Sequence, residues 1–210
     1  VYKRQAQDSL LWVAALQASN PVDGLSWQSI HDAALSDRQF RLALPPANSI
    51  SGLAACMSAA AAYHQLPTLE RSLVDDGDFQ RWLADMLEAV PNRNLNPRDQ
   101  LNSRPPQADV GLLMNSDLQQ LDEERFDANP PIYNVVLDYP YFIRTEWPTL
   151  SASTANAHQV ASERFRDFLI DSPQQVKLGE YGFEPAVGND SGQSVEIDGL
   201  TLGALRGCWR

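Results

Sequence analysis

The chain has 210 residues, 43% of them hydrophobic and 20% charged, which is the balance of a globular protein able to bury a core. Its 27 acidic and 16 basic residues give a formal net charge of −11. A surface this acidic repels a phosphate backbone and argues against nucleic-acid binding. No apolar run has the length of a membrane span, and no secretory leader is visible. The chain opens on Val1-Tyr2-Lys3-Arg4-Gln5 without a methionine, so it reads as a piece of a longer protein.

Leu10 to Leu16 is an apolar run that suits a buried strand or a short helix, and periodicity does not choose between them. Asn20-Pro21-Val22-Asp23-Gly24 is a turn cluster. Ser26 is a good N-cap for a helix from Trp27 to about Leu35, with Trp27, Ile30 and Ala34 on one face. Arg41 to Leu44 reads as a short strand stopped by Pro45-Pro46. An alanine-rich helix is expected from about Ser51 to His64. Asp75-Asp76-Gly77-Asp78 then caps a helix in which Phe79, Trp82, Leu83, Met86, Leu87 and Val90 share a face, with Pro91 at its end. Asn92 to Gln107 reads as a polar loop, and Ala108 to Met114 as a strand bounded by Asn115-Ser116.

Leu118 to Asn129 reads as acidic and irregular. Ile132 to Leu137 is a strand candidate, broken by Asp138-Tyr139-Pro140-Tyr141 and resuming through Arg144. A helix over about Asn156 to Ile170 puts Val160, Phe165, Phe168 and Leu169 near one face. Ser172-Pro173 restarts a short helix, serine as cap and proline first, that Gly182 ends. Val195, Ile197, Leu200 and Leu202 flank Asp198-Gly199 as a small hairpin. Strands alternating with helices indicate an α/β fold.

Candidate chemistry is sparse. In Asn48-Ser49-Ile50-Ser51-Gly52 a strand has ended and a helix begins, so free N–H groups and the positive end of the helix dipole favour an anion or a polar acceptor. Capping by Ser49 or Ser51 explains the same residues without a ligand. Asn115-Ser116 follows a second strand, where ligands collect in open α/β sheets, and an ordinary turn explains it too. Tyr139 and Tyr141 suit a cleft or a core equally. His31, His64 and His158 lack metal-ligand spacing, and the Asp75–Asp78 carboxylates lack that of a calcium loop, so no metal is expected. No Gly-rich cofactor loop is present, and no cofactor is expected. Ala155-Asn156-Ala157-His158 and Asn189-Asp190-Ser191-Gly192 echo serine-protease segments, but they stand too close together, in helical surroundings and without a GxSxG elbow. Cys56 lies in an apolar helical pattern and reads as a buried small hydrophobe, and its pairing with Cys208 stays open.

The order of several segments resembles one family. They are Gly24 to Ile30, Leu42 to Ala55, Val135 to Tyr141, Phe165-Arg166-Asp167-Phe168-Leu169, Ser172-Pro173-Gln174-Gln175 and Tyr181-Gly182-Phe183-Glu184-Pro185. Together they resemble the extracellular solute-binding proteins of the two-lobed, type 2 periplasmic-binding fold. Within these they are most similar to the substrate-binding domains joined to von Willebrand factor A domains. The resemblance spans about Leu10 to Ala186.

The resemblance implies an α/β fold with one complete lobe and the C-terminal part of the other. Residues 1–23 would be a crossover, 24–115 the second lobe, 116–186 the return to the first lobe, and 187–210 a linker with a hairpin tail. It implies an extracytoplasmic domain that captures a small polar or anionic ligand by hinge closure, without catalysis. The contacts would be Asn48, Ser49, Ser51, Gly52, Asn115, Ser116, Tyr139 and Tyr141. Partners would be a membrane transporter or a downstream von Willebrand factor A domain. The alternatives are a protein-interaction module of such a surface protein and a transferase on the same fold.

Overall fold

The computed structural model describes residues 3–15, 25–121, 125–141, 151–185 and 196–197. The chain divides into two compact units: residues 1–8 with 137–189, and residues 9–136 with 190–210. Strand β1 (Lys3–Ala15) contributes its first residues to the smaller unit and the rest to the larger.

In the larger unit the sheet order is β2 (Leu42–Ala43), β4 (Val110–Met114), β1, β5 (Phe126–Asn129). The apolar run from Leu10 is thus resolved as strand. It lies antiparallel to β4, Leu10 opposite Met114 and Ala14 opposite Val110. On its other side Trp12 faces Asn129. An internal strand is buried on both faces, so it reads as a continuous apolar run rather than an alternation. β2 pairs with β4 in parallel, Leu42 opposite Val110.

Neighbouring residues of β1 point to opposite faces. Val13 packs with Ala43, Leu101, Ala108, Leu113, Leu121 and Phe126. Leu101 belongs to α5 (Pro97–Asn102), which covers this face. A Cβ on Gly111 would stand 2.9 Å from Leu101 Cδ1, so glycine lets α5 lie close on β4. Trp12 points the other way, edge-on to Trp27 at 4.9 Å between centroids. That face carries α1 (Trp27–Ser36), α2 (Ile50–His64) and α4 (Gly77–Glu88). The result is a three-layer α/β/α arrangement.

Local sequence explains the helices. Ser26 and Ser29 cap α1 reciprocally, Ser29 N–H donating to Ser26 Oγ at 3.1 Å and Ser26 N–H to Ser29 Oγ at 2.9 Å. Trp27 and Ile30 are buried as expected, and His31 joins them, stacked on Trp82 at 5.3 Å. Alanines let α2 run buried along most of its length. Asp76 caps α4 by accepting the Asp78 N–H, and Phe79, Leu83, Met86 and Leu87 are buried. Cys56 is fully buried, as its helical pattern suggests, and is disulfide-bonded. The other cysteine of the sequence, Cys208, lies outside the described residues.

At the C-terminus of α2, Gln65 holds a left-handed conformation with φ 56°, which a side chain disfavours by about 1 kcal/mol. Gln65→Gly is expected to raise stability by about that amount. The readout is a higher urea midpoint at unchanged slope, and a lower midpoint would contradict it.

Several expectations are corrected. The segment 92–107 is not all loop: Asn96 caps α5, with Pro97 in its first turn. Arg71–Val74, to which the sequence reading assigns no element, forms a short helix, α3. The acidic stretch ends in β5 rather than remaining irregular. Strand character begins not at Ile132, which is 73% exposed, but at Val136. There β6 (Val136–Tyr141) runs straight through Asp138 to Tyr141. β6 pairs with β1 alone among the described strands, and proline is tolerated on such an edge. Ahead of it, Asn134 Oδ1 takes the Leu10 N–H at 3.1 Å in place of a ladder carbonyl.

In the smaller unit β7 (Glu184–Pro185) pairs antiparallel with Ala6 and Gln7 of β1. Helix α7 (Ala152–Ile170) is followed by α8 (Ser172–Glu180), whose N-cap position falls at Asp171, one residue earlier than expected, and carries no side-chain cap bond. Gly182, at φ 81°, turns the chain after it. Of the expected tail hairpin only β8 (Glu196–Ile197) is described. It pairs in parallel with β3 (Thr68–Leu69) in the larger unit.

Candidate functional site

β2 and β4 are adjacent and parallel, so the segments that leave their C-terminal ends stand at the same edge of the larger unit's sheet. After β2 comes the loop to α2, with Asn48, Ser49, Ser51 and Gly52. After β4 comes α6 (Asn115–Leu118), beginning at Asn115 and Ser116. Two of the three groups of residues singled out from sequence therefore share one end of one sheet. This is the carboxyl edge, where open α/β sheets gather ligands. Tyr139 and Tyr141 both lie in β6.

The serine loop is tightly built. Ser49 caps α2: its Oγ accepts the Gly52 N–H at 2.9 Å and donates to Pro46 O at 2.7 Å. Ser51 Oγ lies 3.0 Å from Ser49 Oγ. With the Ser49 proton on Pro46, Ser51 must be the donor in that contact. A hydroxyl has one proton and two acceptor positions, so Ser49 is saturated within its own loop. Ser51 Oγ retains its acceptor positions. The Ile50 and Ser51 N–H groups, at the positive end of a 15-residue helix, have no acceptor among the described residues. Asn48 is exposed beside them.

Gly52 is required by packing. A Cβ there would stand 2.1 Å from Pro46 O and 2.8 Å from Pro46 C. Ser49→Ala is expected to cost about 1 kcal/mol through loss of the cap. Chemical denaturation measures it, and an unchanged midpoint would contradict the capping role.

Around α6 lies a polar cluster. Arg98 Nη1 donates to Gln120 Oε1 at 2.5 Å and to Asp117 Oδ1 at 3.4 Å. Burial raises the Asp117 carboxyl above its ordinary value, opposed by the Arg98 charge and an Asn96 hydrogen bond and reinforced by Asp99. A raised carboxyl takes up a proton on folding, so stability from this group is lost as pH rises through its folded value. Asp117→Asn is therefore expected to stabilise at pH 7, with the gain vanishing as pH falls to the ordinary carboxylate range near ~4. Paired melts at pH 7 and pH 4 measure this, and a loss of stability at pH 7 would contradict it.

Sequence reasoning missed one feature at this edge. Leu10 pairs with Met114, so Ser9 stands at the same end. Ser9 and the Gln7 and Asp8 that precede it in β1 are all buried. The signal was available as a polar triplet placed directly before an apolar strand, since buried polar groups must be hydrogen-bonded. A small solvent-open groove beside the serine loop is lined by Leu44, Pro45, Ala47, Leu87, Val90 and Arg93. Apart from Arg93 its lining is apolar.

Among the described residues, no group of three or more His, Cys, Asp or Glu side chains is placed to hold a metal ion. No helix among them is long and apolar enough to cross a membrane.

No protein-family model matches the chain, and no curated protein matches it by sequence. Solved structures do. It is similar to Trichodesmium FutA in complex with iron and citrate ligands, with 11% identity, a TM-score of 0.61 and coverage of 98% of this chain and 66% of that one. It is similar to the substrate-binding domain of a putative molybdenum ABC transporter from Clostridium difficile, with 14% identity, a TM-score of 0.52 and coverage of 88% and 66%. It is also similar to a eukaryotic thiaminase-I bound to 3-deazathiamin, with 12% identity, a TM-score of 0.52 and coverage of 97% and 66%. The fold is thus mixed α/β of the periplasmic-binding-protein type. The chain spans just under two thirds of the length of these structures.

Proposed function

We propose that the chain is the larger part of an extracytoplasmic solute-binding domain that captures a small polar or anionic ligand without transforming it. The observation that carries the reading is the pairing of two polar strand-to-helix junctions at one carboxyl edge, in a fold shared with substrate-binding proteins. The ligand would be met by the Ile50 and Ser51 N–H groups, Ser51 Oγ and Asn48, with Gly52 allowing the helix end to form. Asn115 and Ser116 would contribute from the second junction. Ser49 keeps its place in the site as the residue that shapes the loop. Tyr139 and Tyr141 are proposed as the contacts of the other lobe, and capture as closure about a hinge.

A membrane transporter of the ABC type is the partner that this role implies. The disulfide at Cys56 supports an oxidising, extracytoplasmic compartment. The association with a von Willebrand factor A domain rests on the sequence resemblance alone. The reading of the chain as an incomplete lobe pair is supported by the share of the similar structures that it spans.

A second reading, an enzyme on the same fold, is favoured by the likeness to a thiaminase. Thermal-shift screening of the full-length product separates the two. Oxyanions, ferric citrate, sugars, amino acids and thiamin analogues are the probes. A solute at 100 times its dissociation constant adds about 2.7 kcal/mol of stability. Stabilisation by one solute class that is recovered chemically unchanged supports capture, and recovery of a converted product supports the enzyme. Absence of stabilisation by every class sinks the solute-binding reading.

A further inference from the structure

The segment that leaves β2 carries two unlike surfaces side by side. One is polar: the Ile50 and Ser51 N–H groups, Ser51 Oγ and the exposed Asn48. The other is the groove lined by Leu44, Pro45, Ala47, Leu87, Val90 and Arg93. Its lining holds one cation and no carboxylate, in a chain with 27 acidic residues. Arg93 is held in place by its Nη2, which donates to Leu87 O at 2.9 Å. That carbonyl belongs to the last turn of α4, where the helix dipole favours a cation. The groove and the start of α2 therefore attract charge of the same sign, and that charge is negative.

A single turn joins the two surfaces. The Ser49 N–H donates to Pro46 O at 2.9 Å. This closes a turn with Ala47 and Asn48 at its corners and keeps the Cα atoms of Pro46 and Ser49 within about 7 Å. Ala47 lines the groove, and Asn48 beside it belongs to the polar surface. The Ser49 hydroxyl holds the same Pro46 carbonyl at 2.7 Å, and the prolines at 45 and 46 have fixed φ. The spacing between the surfaces is thus set in advance, which lowers the ordering cost of a ligand that spans both.

We infer that the ligand of this edge is a small amphipathic anion, its oxyanion head at Asn48, the Ile50 N–H and Ser51, and its short aliphatic chain in the groove beside Leu44, Leu87 and Val90. Arg93 adds attraction for the head from the groove side. An inorganic oxyanion would use only the polar half and leave the apolar wall to water. The inference rests on the solute-capture reading and adds the class of ligand to it.

Calorimetric titration of the full-length product with inorganic phosphate and with n-alkylphosphonates from methyl to hexyl tests it. Affinity is expected to rise about 2- to 4-fold per methylene over the first few carbons, the upper figure being that of a fully buried CH₂. It should level off where the chain leaves the groove. Ala47→Phe fills the groove from an exposed position in its wall. The butyl-to-methyl affinity ratio, about 10-fold or more in the parent, should fall to near one. Arg93→Gln should weaken binding of every member about 5-fold and reduce its dependence on salt. Should Ala47→Phe not fold, amide exchange in the parent reads the same contact: butylphosphonate slows residues 87–90 and inorganic phosphate does not. Equal affinity for phosphate and every alkylphosphonate overturns the inference and leaves solute capture standing. So does a length dependence that Ala47→Phe leaves intact, which would put the chain elsewhere. So does binding of a sugar, an amino acid or ferric citrate without any response to the phosphonates. Stabilisation by no solute of any class sinks solute capture, and this inference with it.

Discussion

Gly52→Ala is expected to destabilise the chain by about 3 kcal/mol and to disorder the start of α2. The new Cβ would meet Pro46 O at 2.1 Å, which is backbone and not the end of a flexible side chain. Pro46 O already accepts two hydrogen bonds, the Ser49 N–H at 2.9 Å and the Ser49 hydroxyl at 2.7 Å. Relieving the clash therefore moves the carbonyl on which the Ser49 cap is built, so the overpacking cost comes with weakened hydrogen bonds. Urea denaturation measures the loss, and exchange of the amides over 50–53 should rise with it. A variant as stable as the parent would show that the loop is not held as described. Serine at the same position is expected to be no better, because the obstruction is at Cβ.

Trp12→Ala is expected to cost about 3–5 kcal/mol, whereas Trp12→Phe should cost less than about 1.5 kcal/mol. Trp12 is fully buried and meets Trp27 edge-on. Trp27 in turn approaches Trp82 at 6.5 Å and donates its Nε1–H to Ser58 Oγ at 2.9 Å, whose proton goes to Tyr133 O at 2.6 Å. Trp12 anchors the sheet to this chain of rings by shape alone, since its own Nε1 has no partner among the described residues. Phenylalanine keeps most of the ring and removes a buried donor that is unsatisfied, so the two changes offset. Equal destabilisation by alanine and phenylalanine would show that the indole N–H has a partner.

The contrast between these two positions reflects what a sequence displays. Trp12 sits in an apolar run whose burial is legible at once, although strand and helix are not separable there without the pairing of β4 and β5 against it. Where caps and periodicity agree, as from Ser26 into α1 and from Asp76 into α4, the elements fall as expected. Pro140 misleads because proline ordinarily breaks a strand, while an edge strand accommodates it. Helix α5 escapes the sequence reading although Asn96-Pro97 is a start signal, because the surrounding loop is polar and the helix short.

For the site, the strand-to-helix junctions are legible locally, but their shared edge is not. That edge comes from the parallel pairing of β2 with β4, a contact between residues nearly 70 positions apart. Saturation of the Ser49 hydroxyl is equally hidden, since it depends on where Pro46 O points. The open stripe on α7 shows the converse. The sequence displays an amphipathic helix with Phe165 and Phe168 on one face, and only the structure shows that both rings are more than half exposed.

The most direct test of the account is amide exchange on the full-length product with and without the best-stabilising solute from the screen. The account predicts slowed exchange over residues 48–53 and 115–117, and loss of that slowing together with the thermal shift in Ser51→Ala. Slowing confined to other segments, such as the groove formed by Leu44, Leu87 and Arg93, or a Ser51→Ala variant that binds as the parent does, would contradict it.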